Sequence, residues 1–230
     1  MSTTNKKLRI GLVHATMNSF SPISNAFLTY QNEVEVINYM DEGVIFELRE
    51  TNTITPRMVM RLAELAWKAV ESDVDGILFT CSSFTPYVSK IAALMPVPVL
   101  SSDISMLEVA IEKGTNIGVI ATIEAAGPTT TKMLYDVATE KNKEITVDTH
   151  IIPEAFIALQ NGNMNEHDRL ILEKVEEIYQ NNDITILAKY SMARAFEKIS
   201  GNAKDKVLTG PSVSAKAIID QATKAKLKGD

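Results

Sequence analysis

Short apolar runs alternate with amphipathic stretches along most of this chain. Arg9-Ile10-Gly11-Leu12-Val13 reads as a buried first strand, and Glu33-Val34-Glu35-Val36-Ile37 alternates as a half-exposed strand does. Further runs predict strands at residues 76–80, 97–100, 117–121, 145–150 and 184–188. Helical spacing fills the intervals. Val59, Leu62, Ala63, Ala66, Trp67 and Val70 form one face behind a Thr55 cap and Pro56. Asp103 precedes Met106, Leu107, Ala110 and Ile111, a stripe stopped by Gly114. Pro128, Pro153 and Pro211 stand where helices start. Strand and helix in alternation predict an α/β fold, with mostly parallel sheets flanked by helices.

The pattern also repeats. "RIGLVHAT" near residue 10 is echoed by "NIGVIAT" near residue 117, an offset of about 107. "DGILFTCSSFTPYVSKIA" at 75–92 is echoed by "DITILAKYSMARAFEKIS" at 183–200, an offset of 108. The leading Asp, the apolar strand, the second Ser and the closing Lys-Ile coincide. Two echoes in the same order predict two pseudo-symmetric lobes. The first covers residues 1–100 and the second 101–206, and residues 207–230 either complete the first lobe or do not. No low-complexity linker separates them.

Composition narrows the class. The chain has 230 residues and is 45% hydrophobic, so it folds around real cores. Its net charge of −6 argues against nucleic acid, whose phosphates need a basic footprint. No apolar run approaches a membrane span, and the polar first residues lack the core of a signal peptide. A single cysteine cannot form an internal disulfide, which points to a reducing, cytoplasmic setting. For assembly, a homodimer is the default expectation.

Candidate chemistry collects at the strand ends. In open parallel sheets, ligands bind beyond the carboxyl ends of the strands. Cys81 ends one strand, and the echo places Lys189 at the equivalent end in the second lobe, with Ser191 matching Ser83. A thiol there is either a structural small hydrophobe or, with a lowered pKa, an acid–base group. Lys189 is a base if burial lowers its pKa, or a fixed positive charge for substrate or thiolate. Tyr190 is a rival acid. Asn18, Ser19, Ser82, Ser83, Thr122 and Ser191, with Thr209 and Ser212, are either helix caps or, together, donors to a carboxylate. His14 reaches the same edge or serves as a structural histidine. His150 and His167 have no partners at ligand spacing, so no metal site is read. Phosphate-loop, dinucleotide and nucleophile-elbow motifs are missing.

The stretches "IGLVHATMNSFSPISNAF", "ILFTCSSFTP", "IGVIATIEAAGPTT" and "ILAKYSMARA" resemble the aspartate/glutamate/hydantoin racemase superfamily over residues 10–217. The resemblance implies two flavodoxin-like lobes in pseudo-twofold arrangement, with the active site in the cleft between them. It implies catalysis without pyridoxal phosphate or metal, on a small carboxylate or amino-acid-like substrate. In the racemases one cysteine from each lobe faces the α-carbon. Cys81 matches the first of these, and Lys189 stands where the second belongs. Ser82, Ser83 and Thr122 match loops that hold substrate carboxylates, and Asn18 and Ser19 match more loosely. The expected function is therefore a cofactor-independent racemase or isomerase, with Lys189 or Tyr190 as second base. The missing cysteine keeps two alternatives open: a single-cysteine decarboxylase like the arylmalonate decarboxylases, and a carboxylate-binding protein without catalysis. Maleate isomerases of the same superfamily use their cysteine as a nucleophile.

Overall fold

A computed structural model describes residues 7–124 and 126–229, with Arg49 by its backbone alone. The polar stretch 1–6 lies outside the described residues. In chain order the elements are β1 (Leu8–His14), α1 (Phe20–Leu28), β2 (Val34–Met40), α2 (Gly43–Thr51), α3 (Pro56–Glu71), β3 (Gly76–Phe79), α4 (Thr85–Ala92) and β4 (Val99–Ser101). There follow α5 (Ile104–Lys113), β5 (Asn116–Ala121), α6 (Ala126–Glu140), β6 (Thr146–Ile151), α7 (Pro153–Gln160), α8 (Met164–Ile178) and β7 (Ile184–Leu187). The chain closes with α9 (Ala193–Phe196), α10 (Asn202–Lys206), β8 (Val207–Thr209) and α11 (Gly210–Gly229). No helix among the described residues is long and apolar enough to cross a membrane.

The strands form two parallel four-stranded sheets, ordered β2-β1-β3-β4 and β6-β5-β7-β8. The internal echo thus has a structural counterpart, two flavodoxin-like lobes of one topology. Ile77 pairs with Val99 as Thr185 pairs with Val207, each residue 108 positions before its counterpart. By contact, one compact unit comprises Met1–Ser102 and Ser214–Asp230, and the other Asp103–Val213. Each unit's last strand is therefore followed by a helix belonging to the other unit: α5 after β4, and most of α11 after β8.

The echoed residues earn their places physically. Asp75 Oδ2 accepts from the backbone N–H of Arg9 at 2.7 Å, pinning β3's start to β1. Asp183 does the same for β5, accepting from Thr115 and Asn116, both at 2.9 Å. Gly11 sits where α3 presses on β1, and a Cβ there would come 2.9 Å from the Ala69 Cβ. A Cβ on Gly118, its echo, would come 3.0 Å from both Asn182 Nδ2 and Thr185 Oγ1 in the second unit. Ile91 and Ile199, from the shared Lys-Ile, are both buried.

Helix boundaries follow the caps. Thr55 Oγ1 accepts from Met58 N at 3.3 Å with Pro56 opening α3. Asp103 stands at the N-cap position of α5, Gly114 ends it, and its expected apolar stripe is buried. The buried face of α3 differs from the expected one. Met58, Leu62, Ala66 and Ala69 point into the core, whereas Trp67 is 48% exposed. The buried stripe follows steps of four, four and three, and this turns Trp67 off the sheet. Strand β8 is an addition to the expected strands. Three residues carry too little periodicity to register alone.

Candidate active site

In a sheet ordered 2-1-3-4, the connections from the first and third strands leave toward opposite faces, which opens a crevice at their carboxyl ends. In the first unit that switch point lies between β1 and β3. Beyond β1, Thr16 caps a single 3-10 turn, Met17–Ser19, that runs into α1. Beyond β3 come Thr80, Cys81 and a second 3-10 turn, Ser82–Phe84, that runs into α4. In the structure the extra turn makes Cys81 itself the capping residue, extended at φ −113° and ψ 112°.

Cys81 is half-buried against the core that includes Phe79, Phe84 and Val88. Ser82 is half-buried, whereas Ser83 and Asn18 are exposed. Ser19 differs from these. It is 3% exposed, and its hydroxyl donates to Thr16 O at 2.9 Å and lies 2.9 Å from Thr80 Oγ1. His14, fully buried at the end of β1, joins the same group. Burial pushes its imidazole below the ordinary value of about 6.5, and the bond to Asn38 offsets only part of this.

The second unit repeats the geometry with different side chains. Its switch point lies between β5 and β7. Lys189 caps a 3-10 turn, Tyr190–Met192, in extended conformation at φ −142° and ψ 144°, and α9 follows at once. Within its unit Lys189 therefore occupies the place that Cys81 holds in the first. Lys189 and Ser191 are half-buried and Tyr190 is buried. Thr122 follows β5, and Thr209 ends β8. Both are buried, and neither hydroxyl has a hydrogen-bond partner among the described residues. Ser101, at the end of β4 in the first unit, is in the same condition. Native folds rarely leave buried donors unused, so open hydroxyls at strand ends are notable.

The turn after Lys189 is fastened from behind. Asp168 on α8, 1% exposed, accepts from Arg194 Nε at 2.8 Å and pairs with Lys198 Nζ at 2.6 Å. His167 Nδ1 lies 3.1 Å from its other oxygen. Burial alone raises this carboxyl, but the bonds from Lys198, His167 and Arg194 outweigh it and hold the group below the ordinary aspartate range. Among the described residues, no three His, Cys, Asp or Glu side chains gather as a metal site would need.

The profile of the Asp/Glu/Hydantoin racemase family matches residues 27–218. The chain belongs to this family. Membership supports a racemase-type function, and the fold agrees. An aspartate racemase homologue from Pyrococcus horikoshii superposes with a TM-score of 0.69 at 17% identity, covering 94% of this chain and 99% of its own. The aspartate racemase of Picrophilus torridus gives 0.67 at 15%, covering 94% of each chain. The allantoin racemase of Klebsiella pneumoniae gives 0.62 at 13%, covering 93% and 87%. No curated protein sequence matches this chain.

Sequence reasoning missed two features, the hydrogen-bonded group around His14 and the ionic group around Asp168. Sequence separation hides both. Thr80 lies 66 positions from His14, and Arg194 lies 26 from Asp168.

Proposed function

We propose that this protein is a cofactor-independent racemase or isomerase of a small carboxylate or amino-acid-like substrate, with Cys81 as the thiol acid–base group. The observation that carries the reading is the place of Cys81 as the capping residue at the switch point of the first sheet, followed by Ser82 and Ser83. In this reading the Cys81 thiolate takes the α-proton, and the electron pair of the broken C–H bond moves onto the substrate carboxylate. A proton delivered to the opposite face of the carbon then restores the C–H bond. Hydroxyl and backbone donors that strengthen as charge builds on the carboxylate supply about 3–4 kcal/mol each. Ser82, Ser83, Thr122, Asn18 and Ser191 are the assigned donors. Thr122 is favoured by its buried, unpartnered hydroxyl. Ser19 supports its turn, since its hydroxyl is already engaged.

Lys189 is the assigned second base, because it caps the equivalent turn in the second unit. A second reading rests on the same residue. With lysine in place of a second thiol, the enzyme protonates one face only, as a decarboxylase does. Incubating the protein with a panel of small dicarboxylates, amino acids and hydantoins in D₂O separates the readings by NMR. Racemisation puts deuterium at the α-carbon of both enantiomers. Decarboxylation releases CO₂ and labels one face. A carboxylate that raises the melting temperature, exchanges no proton and releases no CO₂ contradicts both, and fits a binding protein.

A further inference from the structure

His14 and its neighbours form a closed polar group inside the first unit. The ring Nε2 lies 3.0 Å from Asn38 Oδ1 on β2. That oxygen only accepts, so Nε2 carries the hydrogen and Nδ1 presents its lone pair. Thr80 Oγ1 donates to Nδ1 at 2.8 Å, and Ser19 Oγ, 3.3 Å from Nδ1, has one hydrogen to share between Thr80 Oγ1 and Thr16 O, both at 2.9 Å. Ser19, Thr80 and His14 are all at most 3% exposed. Phe20 covers the ring, with centroids 5.8 Å apart. One imidazole thereby joins the turn after β1, which carries Asn18, to the residue directly before Cys81.

The second unit shows what the fold does without this group. The residues equivalent to His14 and Thr80 are Ala121 and Ala188, and both are buried. The same backbone bond closes each switch point: Thr80 N donates to Val13 O in one unit, Ala188 N to Ile120 O in the other, both at 3.0 Å. Two alanines are thus enough to complete this sheet edge. The unit that carries the thiol has a buried histidine, threonine and serine there instead. A fully satisfied polar group in a low-dielectric interior holds its members in one arrangement, and loses that rigidity when one member is removed.

We propose that His14 is a positioning residue that clamps the β1–α1 turn to the β3–α4 turn through Thr80 and Ser19, and so fixes the backbone on which Cys81 stands. Its consequence for turnover rests on Cys81 being the reacting thiol. The clamp itself is tested without turnover. Cys81 is the chain's only cysteine, so alkylation by iodoacetamide reports on this one sulfur.

The test compares the pH profile of alkylation for the wild-type chain with those of Thr80→Val, Thr80→Ser and His14→Phe. Thr80→Val keeps the shape of the side chain and suits a strand, so it folds even if His14→Phe does not. The expected result is a Thr80→Val profile displaced in apparent pKa, with a rate changed by about tenfold, the scale at which small displacements of a reacting group are felt. Thr80→Ser, which restores the hydroxyl, returns the wild-type profile. If the Thr80→Val and wild-type profiles superimpose while only the melting temperature falls, the group is merely structural and the proposal is overturned. Turnover of Cys81→Ala tests the functional reading separately. Full activity there overturns the assignment of the thiol, whereas the alkylation profiles still decide the clamp.

Discussion

Cys81 and His14 make opposite demands on the first unit. A half-buried thiol at a cap position contributes little to packing, so Cys81→Ala leaves the melting temperature nearly unchanged. In the proposed mechanism it lowers turnover by about 10²–10⁴-fold, the usual contribution of one positioned acid–base group. Steady-state kinetics beside a thermal melt check both halves of that statement. His14 acts on stability as well as on position. Its folded-state pKa lies below the unfolded value of about 6.5, so the unfolded chain binds the extra proton first. The histidine's contribution is complete above that value and is lost as pH falls through the window down to the lowered folded pKa. The ring's hydrogen-bond partners, Ser19, Asn38 and Thr80, are all neutral and offer an imidazolium no counter-charge. Urea midpoints at pH 7.5 and 5.5 are expected to fall on acidification in the wild-type chain and to fall less in His14→Gln.

At the scale of elements, the two switch points are built alike and braced differently. Asp168 ties α8 to α9 behind Lys189, and Asp168→Ala is expected to cost about 2–3 kcal/mol. This is less than a fully buried ion pair costs, because Arg194 and Lys198 are nearly half exposed and recover water. For a chain of this size that lowers the melting temperature by roughly 4–12 °C. Asp168 titrates below its ordinary range, so its contribution is present above that range and lost as pH falls through the folded value. Gly11→Ala drives a methyl group against Ala69 and is expected to cost about 1–3 kcal/mol in a chemical melt. Most of this level was legible from sequence. The runs around Ile10, Ile77, Ile117 and Ile184 became central strands, because buried parallel strands are apolar on both faces. The exposed side of Trp67 was not legible, since α3 carries apolar residues on more than one face and only packing selects among them. Strand β8 escaped for its length, although Val207-Leu208-Thr209 stands 108 positions after Val99-Leu100-Ser101. The strand-end positions of Cys81 and Lys189 were legible because the apolar runs alone mark where the strands stop. The His14 and Asp168 groups depend on contacts between distant segments, and single-residue reading passes them over.

At the scale of the molecule, the duplication extends to topology and to the exchange of a helix after each fourth strand. The first unit is completed by the chain from Ser214, where Ala215, Ile218 and Ala222 are fully buried. Ile218 and Ala222 lie against Gly76 at the start of β3. Burial of Ile218 and of Ile219, both buried, is worth about 1.5–3 kcal/mol each, so truncation after Val213 removes a large part of the first unit's stability. The truncated chain is expected to lose its cooperative thermal transition, as followed by circular dichroism. The sequence echo anticipated two lobes, whereas the exchange of helices follows from contacts that no local pattern records.

Cys81 is proposed to move a substrate proton. The most direct test is incorporation of solvent deuterium at the α-carbon of a small carboxylate, followed by NMR for the wild-type chain, Cys81→Ala and Lys189→Met. The wild-type chain is expected to exchange, Cys81→Ala to lose exchange with its fold intact, and Lys189→Met to lose it at one face. Exchange by Cys81→Ala at the wild-type rate would rule out this role for the thiol.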